Sequence, residues 1–334
     1  MKRPPQILTI NVISDCNSTC IYCHCWRTKG SAPKLSSVIN IIKQAYELGV
    51  TVVRISGGEP LIRTDIASIV KAIRDDGMVS MVCTSGRDKE SLKQLAEVGL
   101  DIFAISIDTT NPEQFRKLRG YEVAPVLDNL KLLTELRAIH NFEIVISVVV
   151  TRINLDYLDG LFDLVAKLDL LLSITPVQYS DPLLPEIKKF AFERSDRYRI
   201  EGAVEKIKTT VVCKGVRLIN SESFLDGFAG FLSERCLPKG YACYAGNTGG
   251  IVTVEGRLKL CHSLEPLGGE PLRKLWTSKK AEGIRKRMEK LDCPLCWLSC
   301  HADNRNPAII ATPKEAPASI KVYGNRLINS FITG

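Results

Sequence analysis

The chain has 334 residues, of which 45% are hydrophobic and 25% charged, and its formal net charge is +8. This length can bury one large core and a second small domain. Apolar runs of about 18 residues and a signal-peptide core are absent from the sequence, so we expect a cytoplasmic protein with no membrane segment. Lys and Arg are dispersed apart from residues 279–290, a predicted solvated helix face, and this pattern predicts no nucleic-acid partner.

Segments of strand length alternate with amphipathic segments of helix length over the first half of the chain, which is typical of repeated βα units. The predicted strands are residues 7–13, 51–56, 79–84, 101–107, 143–150 and 170–177. The predicted helices are residues 35–48, 64–76, 88–98, 123–139 and 156–168, with Gly49, Gly77 and Gly99 as stops. Six strands predict an α/β fold with a partial (β/α)6 TIM-like barrel, whose loops after the strands share one ligand-binding face.

Three cysteines follow the first predicted strand in the string CNSTCIYC: Cys16, Cys20 and Cys23. This spacing places three thiolates on one short loop, enough to hold three irons of a four-iron cube and leave the fourth iron without a protein ligand. Because twelve cysteines in a reducing compartment indicate metal ligands rather than disulfides, we expect a metal site here. A structural zinc site is the alternative, with His24 or Cys25 as the fourth ligand.

Short polar residues follow the next three predicted strands at the same face of the barrel. Strand two ends in the string GGEP, in which glycine lets the backbone approach a ligand closely beside one carboxylate. The alternative for the residues after strand four is capping of the next helix. The positions are Gly57, Gly58, Glu59 and Pro60 after strand two, Ser85 after strand three, and Ser106 and Asp108 after strand four.

The cysteine string, with Tyr22 directly before its third cysteine, and the GGEP string about 35 residues later resemble the signature of the radical S-adenosylmethionine (radical SAM) superfamily. The resemblance implies a [4Fe–4S] cluster on the three cysteines, whose open iron binds SAM. One electron then cleaves SAM to methionine and a 5′-deoxyadenosyl radical, which takes a hydrogen atom from the substrate. An electron donor such as flavodoxin or ferredoxin is also implied.

The same resemblance implies contacts with SAM for the polar residues after strands two to four. It further implies that Arg119, in the string LRG, lies near the methionyl carboxylate, and that Tyr22 packs against adenine. A surface cation is the alternative for the arginine. Shielding of iron from water is the alternative for the tyrosine.

Beyond about residue 210 the βα alternation stops and cysteines become frequent. The strings IVTV and RLKL, joined through Glu255 and Gly256, predict a hairpin that can help to close a four-thiolate cage. This region resembles the SPASM and twitch extensions of radical SAM enzymes, which hold auxiliary iron-sulfur clusters. The string CPLCWLSC departs from the complete SPASM pattern, so we expect one auxiliary cluster. The six cysteines are Cys236, Cys243, Cys261, Cys293, Cys296 and Cys300.

Two ligand sets for the auxiliary cluster are open, and structural zinc is a third alternative for this module. The twitch-like set is Cys243, Cys261, Cys293 and Cys296. The SPASM-like set is Cys236, Cys243, Cys261 and Cys300. We divide the chain into a radical SAM partial barrel at 1–210, a SPASM/twitch-like domain at 211–305 and a tail at 306–334.

Two enzymatic functions fit this organisation. The first is oxidation or rearrangement of a small polar metabolite, such as a sugar, aminocyclitol or nucleotide conjugate, and the lack of a leader-binding segment before strand one favours it. The second is maturation of a ribosomal peptide or protein side chain by crosslinking, epimerisation or oxidation. A cluster-carrying scaffold is the non-enzymatic alternative. Candidate catalytic groups are Tyr179 and Asp181 beyond strand six, and Cys25 as a hydrogen donor.

Overall fold

The computed structural model describes residues 4–28, 30–179, 187, 190–269 and 271–298. Its strands are β1 (Ile7–Ile13), β2 (Val52–Gly57), β3 (Val79–Thr84), β4 (Ile102–Ser106), β5 (Glu143–Val150), β6 (Leu171–Pro176), β7 (Arg217–Leu218), β8 (Gly249–Val252) and β9 (Leu258–Lys259). Together they form one sheet in the order β7-β6-β5-β4-β3-β2-β1-β8-β9. Every neighbouring pair is parallel except β8 and β9, so the first six strands build the predicted partial barrel.

The helices pack on the outside of this sheet. They are α1 (Leu35–Leu48), α2 (Ile66–Asp75), α3 (Lys89–Glu97), α4 (Pro112–Arg119), α5 (Ala124–His140), α6 (Asp159–Lys167), α7 (Arg197–Lys214), α8 (Glu222–Glu234), α9 (Ala245–Thr248), α10 (Leu272–Trp276) and α11 (Lys279–Glu289). None of the helices in the described ranges is long and apolar enough to cross a membrane. The predicted cytoplasmic location stays a prediction.

The core lies between the outer face of the sheet and the helices. In β1, Leu8, Ile10 and Val12 are at most 1% exposed, whereas Thr9 and Asn11 between them point to the opposite, inner face. α1 buries residues at helical spacing and ends at Gly49, whose φ of 94° is the left-handed conformation that favours glycine. This alternation leaves the inner face of the barrel free for polar side chains.

Three features of the fold differ from the expectation or extend it. Helix α4 was not predicted, although Asn111 caps it, Pro112 begins it and Gly120 ends it. The predicted hairpin is present as β8 and β9, and it continues the barrel sheet because β8 pairs with β1. Helix α11 covers the basic stretch, but Arg285 within it is buried rather than solvated.

The fold does not test the predicted division of the chain into domains. The boundary at residue 210 falls inside α7, and the sheet continues from the barrel into β8 and β9. The division therefore stays a prediction. Asp181, Cys300 and the tail at 306–334 lie outside the described residues.

Candidate metal and cofactor site

Cys16, Cys20 and Cys23 lie together in the loop after β1, residues 14–24, which we call the cysteine loop. Cys20 is buried and the other two are half-buried. Burial raises the pKa of Cys16 and, to about 11, that of Cys20, while a hydrogen bond with Cys25 and burial raise that of Cys23. The charges of neighbouring thiolates contribute to the shifts of Cys16 and Cys20, so the three sulfurs lie within electrostatic range of one another.

This donor set fits a four-iron cube. Ligation deprotonates a thiol and the cationic iron stabilises the thiolate, which offsets the burial that otherwise keeps these thiols neutral. Within the described ranges, no three His, Cys, Asp or Glu side chains converge closely enough to hold one metal ion. A cube accepts a wider arrangement of sulfurs, because each thiolate binds a different iron atom.

The cysteine loop is fixed to the end of α4 by backbone contacts. The Thr19 N–H donates to the Arg119 carbonyl at 3.2 Å, and the Ile21 N–H donates to the Leu118 carbonyl at 3.0 Å. Gly120 has a φ of 80°, and a Cβ there would lie 1.8 Å from the Thr19 hydroxyl. A glycine is therefore required where α4 meets the cysteine loop.

The GGEP segment, residues 57–60, packs against the other side of the cysteine loop. A Cβ on Gly57 would lie 2.2 Å from the Ile13 carbonyl oxygen, and one on Gly58 would lie 2.0 Å from that of Asp15. The N–H groups of Gly58 and Glu59 donate to those same two carbonyls at 2.7 and 2.8 Å. The glycines thus allow close contact between two protein loops. A SAM contact at this segment stays a prediction.

The Glu59 carboxylate accepts from three donors, two at the end of β3 and one in the 3-10 helix that follows Glu59. It accepts hydrogen bonds from the Thr84 hydroxyl at 2.5 Å, the Ser85 N–H at 2.8 Å and the Leu61 N–H at 3.2 Å. The side chain is 4% exposed, and Pro60–Ile62 forms a short 3-10 helix directly after it. Glu59 therefore joins the ends of β2 and β3 beneath the cysteine loop.

Asp108 and Arg119, predicted separately, form one buried ion pair. The guanidinium donates to the carboxylate through Nε at 2.6 Å and Nη2 at 2.9 Å, and the Val149 N–H donates to it at 2.8 Å. The Tyr22 hydroxyl also donates to this carboxylate. The remaining nitrogen of Arg119, Nη1, lies 3.9 Å from the Cys20 sulfur. Contacts of these residues with SAM stay predictions.

Hydroxyl groups and a cation line the inner face of the sheet. Ser106, Ser147 and Ser173 are register partners on β4, β5 and β6, and all three are half-buried. Arg54 on β2 points to the same face, and its buried Nε has no hydrogen-bond partner among the described residues. Burial raises the pKa of the Cys83 thiol on β3 and the Arg54 charge lowers it, which places these two side chains near each other.

Most of this inner surface was not predicted from the sequence. Only Ser106 was predicted as a site residue, because it stands at a strand end. The signal for the others was the polar residue at alternate positions of strands that are otherwise apolar.

Among the described C-terminal cysteines, three lie near one another and Cys236 contacts a different part of the chain. Burial, and then the charges of Cys261 and Cys243, raise the pKa of Cys293 to about 11, so these three thiols lie near one another. Cys236 is exposed at the end of α8, where its sulfur lies 3.4 Å from the Gly230 carbonyl oxygen. Whether either predicted ligand set holds a metal stays a prediction.

Trp297 attaches residues 293–298, the described part of the string CPLCWLSC, to the mouth of the barrel. Its buried ring stacks on Phe224 of α8 with ring centres 5.4 Å apart, and its indole N–H donates to the Phe224 carbonyl at 2.9 Å. The side chain of Gln178, just after β6, accepts from the Trp297 N–H at 3.1 Å and donates to its carbonyl at 3.2 Å. The cysteine next to Trp297, Cys296, is therefore held near the end of β6.

Two of the predicted catalytic residues are engaged by other groups. The Tyr179 hydroxyl accepts from the Phe192 N–H at 3.3 Å, and the Arg235 guanidinium lies 3.4 Å from the centre of its ring. Cys25 begins the short 3-10 helix Cys25–Arg27 and is hydrogen-bonded to Cys23. Their catalytic roles stay predictions.

The part of the chain that contains the cysteine loop and most of the barrel is similar to known proteins. Residues 10–165 match the Radical SAM superfamily. The protein carries a radical SAM domain. A protein of Methanothermobacter thermautotrophicus named "Probable GTP 3',8-cyclase" is 40% identical over 118 residues, which cover 34% of this chain and 39% of that protein. The radical SAM chain thus spans about two fifths of the length of that relative.

Solved structures show the same fold. Streptococcus suis SuiB bound to precursor peptide SuiA matches with a TM-score of 0.70 and 18% identity, over 87% of this chain and 70% of that one. The structure titled native anSMEcpe with bound AdoMet and Kp18Cys peptide matches with a TM-score of 0.62 and 15% identity, over 99% of each chain. The match of residues 10–165 confirms the predicted resemblance to the Radical SAM superfamily, and the solved structures confirm the predicted partial barrel.

Proposed function

We propose that this radical SAM protein is an enzyme that takes a hydrogen atom from a small anionic metabolite rich in hydroxyl groups, such as a nucleotide or a phosphorylated sugar. The observation that carries this proposal is the polar inner face of the barrel, with its row of three serines and with Arg54, whose buried Nε has no hydrogen-bond partner among the described residues. The confirmed radical SAM domain supplies the reaction class.

In this proposal Cys16, Cys20 and Cys23 hold the [4Fe–4S] cluster that binds SAM. When bound, such a cluster supplies the electron that cleaves SAM to methionine and a 5′-deoxyadenosyl radical. The contribution of the chain is to fix the loop that carries the thiolates between α4 and the GGEP segment. A loop that is rigid on both sides keeps the sulfur positions constant during turnover.

The chemistry of the substrate follows from the groups that its binding must satisfy. Ser106, Ser147 and Ser173 each offer a donor and an acceptor on one level of the barrel, which suits the hydroxyl groups of a sugar. The buried Nε of half-buried Arg54 has no hydrogen-bond partner among the described residues, and a buried polar atom is costly unless an acceptor such as an anion binds it. A phosphate or carboxylate of the substrate would supply that anion.

We also propose that the auxiliary cluster uses the twitch-like set Cys243, Cys261, Cys293 and Cys296. The support is that the first three thiols lie near one another, while Cys236 contacts a backbone carbonyl at the end of α8. The contacts of Trp297 with Gln178 bring the adjacent Cys296 toward the end of β6, where an auxiliary cluster could accept an electron from a substrate radical. A flavodoxin or ferredoxin is proposed as the donor to the first cluster.

The test is SAM cleavage by the anaerobically reconstituted and reduced protein with candidate substrates. GTP is the first probe, because the curated relative is named for it, followed by nucleoside diphosphate sugars and sugar phosphates. Stimulated formation of 5′-deoxyadenosine, with deuterium transferred into it from a labelled substrate, supports the proposal. Stimulation only by peptides would replace it with the peptide-maturase function.

Arg54→Gln tests the role assigned to the cation. We expect the KM for an anionic substrate to rise at least about tenfold, since about 1.4 kcal/mol of a charge-assisted contact is lost. Substrate-independent SAM cleavage should be unchanged. Arg273→Gln, an exposed arginine that donates to the Glu47 carbonyl, is the matched control. An unchanged KM in Arg54→Gln would refute the assignment.

A further inference from the structure

Neighbouring residues fix the orientation in which the Arg119 guanidinium contacts the cysteine loop. Its Nε and Nη2 are both used by the Asp108 carboxylate, so Nη1 is the nitrogen left to face Cys20. Asp108 is itself fixed, because its Oδ1 accepts from the Val149 N–H and its carbonyl accepts from the Asn154 side chain at 2.8 Å. The side chains of Asp108 and Arg119 are 0% and 8% exposed.

We infer that Arg119 is a positioning residue that donates a charge-assisted hydrogen bond to the Cys20 thiolate and thereby raises the reduction potential of the SAM-binding cluster. The inference rests on the proposed binding of that cluster by Cys16, Cys20 and Cys23. In this inference Arg119 acts on the reduction potential of the cluster, and it does so before SAM binds.

The physical basis is the electrostatics of sulfur ligation. Hydrogen bonds and positive charge at a cluster thiolate stabilise the reduced cluster, which carries one more negative charge, and so raise its reduction potential. Water cannot replace this effect, because Cys20 is 7% exposed and the ion pair is buried. Asp108 has the opposite influence, since its negative charge offsets part of the guanidinium charge.

This arrangement predicts shifts of opposite sign for two neighbouring substitutions. Arg119→Gln removes the cation and should lower the potential, whereas Asp108→Asn leaves the guanidinium charge uncompensated and should raise it. Arg119→Lys retains a cation without the planar fork and should lie between wild type and Arg119→Gln. The matched control is Arg116→Gln on the same helix, because Arg116 is exposed and pairs with Glu122 at 3.1 Å.

The experiment is a redox titration of the reconstituted full-length proteins without SAM, followed by electron paramagnetic resonance. We expect Arg119→Gln to lower the ratio of reduced to oxidised cluster about tenfold at a fixed potential, which is about 59 mV for one electron. Arg116→Gln should titrate like wild type. Because SAM is absent, a role of Arg119 in binding the SAM carboxylate alone would leave the titration unchanged and would overturn the inference.

Iron content is measured for each variant, so that a loss of bound cluster is distinguished from a change in the reduction potential of the cluster. If Arg119→Gln binds no cluster, Arg119→Lys and Asp108→Asn decide, and a lowered potential in Asp108→Asn would overturn the inference. Absence of iron from the wild-type cysteine loop would instead contradict the proposed function. A loaded wild type with the same potential as every variant would contradict only the role of Arg119.

Discussion

Substitution of Gly58 by alanine tests the packing of the GGEP segment on the cysteine loop. The new Cβ would lie 2.0 Å from the Asp15 carbonyl oxygen and 2.5 Å from that of Ser14. Both are backbone atoms, so one of the two loops must move by about 1 Å. That movement strains the hydrogen bonds that the Gly58 N–H donates to the Ile13 carbonyl at the end of β1 and the Glu59 N–H donates to the Asp15 carbonyl in the cysteine loop.

The expected cost has two parts. Overpacking costs about 1–3 kcal/mol, and two weakened backbone hydrogen bonds add about 1 kcal/mol each. We therefore expect Gly58→Ala to lower the free energy of unfolding by about 3–5 kcal/mol in urea. It should also lower the iron bound after reconstitution, because Asp15 is adjacent to Cys16.

The control for this substitution is Gly202→Ala. Gly202 lies in α7, and a Cβ at this position would have no heavy atom within 4 Å, so alanine should stabilise the helix by about 0.5–1 kcal/mol. If Gly58→Ala unfolds within about 0.5 kcal/mol of wild type and binds the full complement of iron, the close contact between the two loops is wrong.

Two further substitutions test other parts of the account. Trp297→Ala removes the buried ring that stacks on Phe224 of α8, so we expect loss of about four of about eight irons while the first cluster is retained. The control Tyr198→Ala, at an exposed residue, should keep all of the iron. An unchanged iron content in Trp297→Ala would contradict the anchoring role of Trp297. The Arg63 guanidinium donates two hydrogen bonds to Asp65, each at 2.7 Å, and lowers the pKa of the Asp65 carboxyl. The pair therefore stabilises the fold at pH values above the pKa that Asp65 has in the unfolded chain, and this stabilisation is lost as the pH falls through the pKa of Asp65 in the folded protein. Asp65→Asn should thus lower the free energy of unfolding by about 1 kcal/mol near neutral pH and by less in acid, and a difference that does not depend on pH would contradict the assignment.

The barrel was predictable because its signals are local. Parallel strands buried on their outer face give runs of β-branched residues, and glycines such as Gly49 and Gly99 mark the helix ends. Helix α4 was missed because only Phe115, Leu118 and Arg119 of its eight residues are buried, which gives too weak a periodicity. The pairing of β8 with β1 joins residues about 240 positions apart, and no local pattern encodes such a contact.

The cysteines of the site could be predicted from the sequence, whereas most contacts of the residues around them could not. The spacing of Cys16, Cys20 and Cys23 is enough to show the resemblance to radical SAM proteins without any knowledge of the fold. The contact of Arg119 with Cys20 depends instead on the angle at which α4 meets the cysteine loop, and the sequence suggested only a SAM contact for that arginine. Only the strand register places Arg54 and the serine row on one face, with Arg54 level with Ile102 and the serines farther along the strands.

The measurement that tests the account most directly is formation of 5′-deoxyadenosine from SAM by the reduced protein. Wild type is compared with a variant that carries Cys16→Ala, Cys20→Ala and Cys23→Ala. The account predicts 5′-deoxyadenosine from wild type and none from the triple variant, which should still hold about four auxiliary irons. A wild-type protein that holds iron at the cysteine loop and releases no 5′-deoxyadenosine, or a triple variant that cleaves SAM equally well, would contradict it.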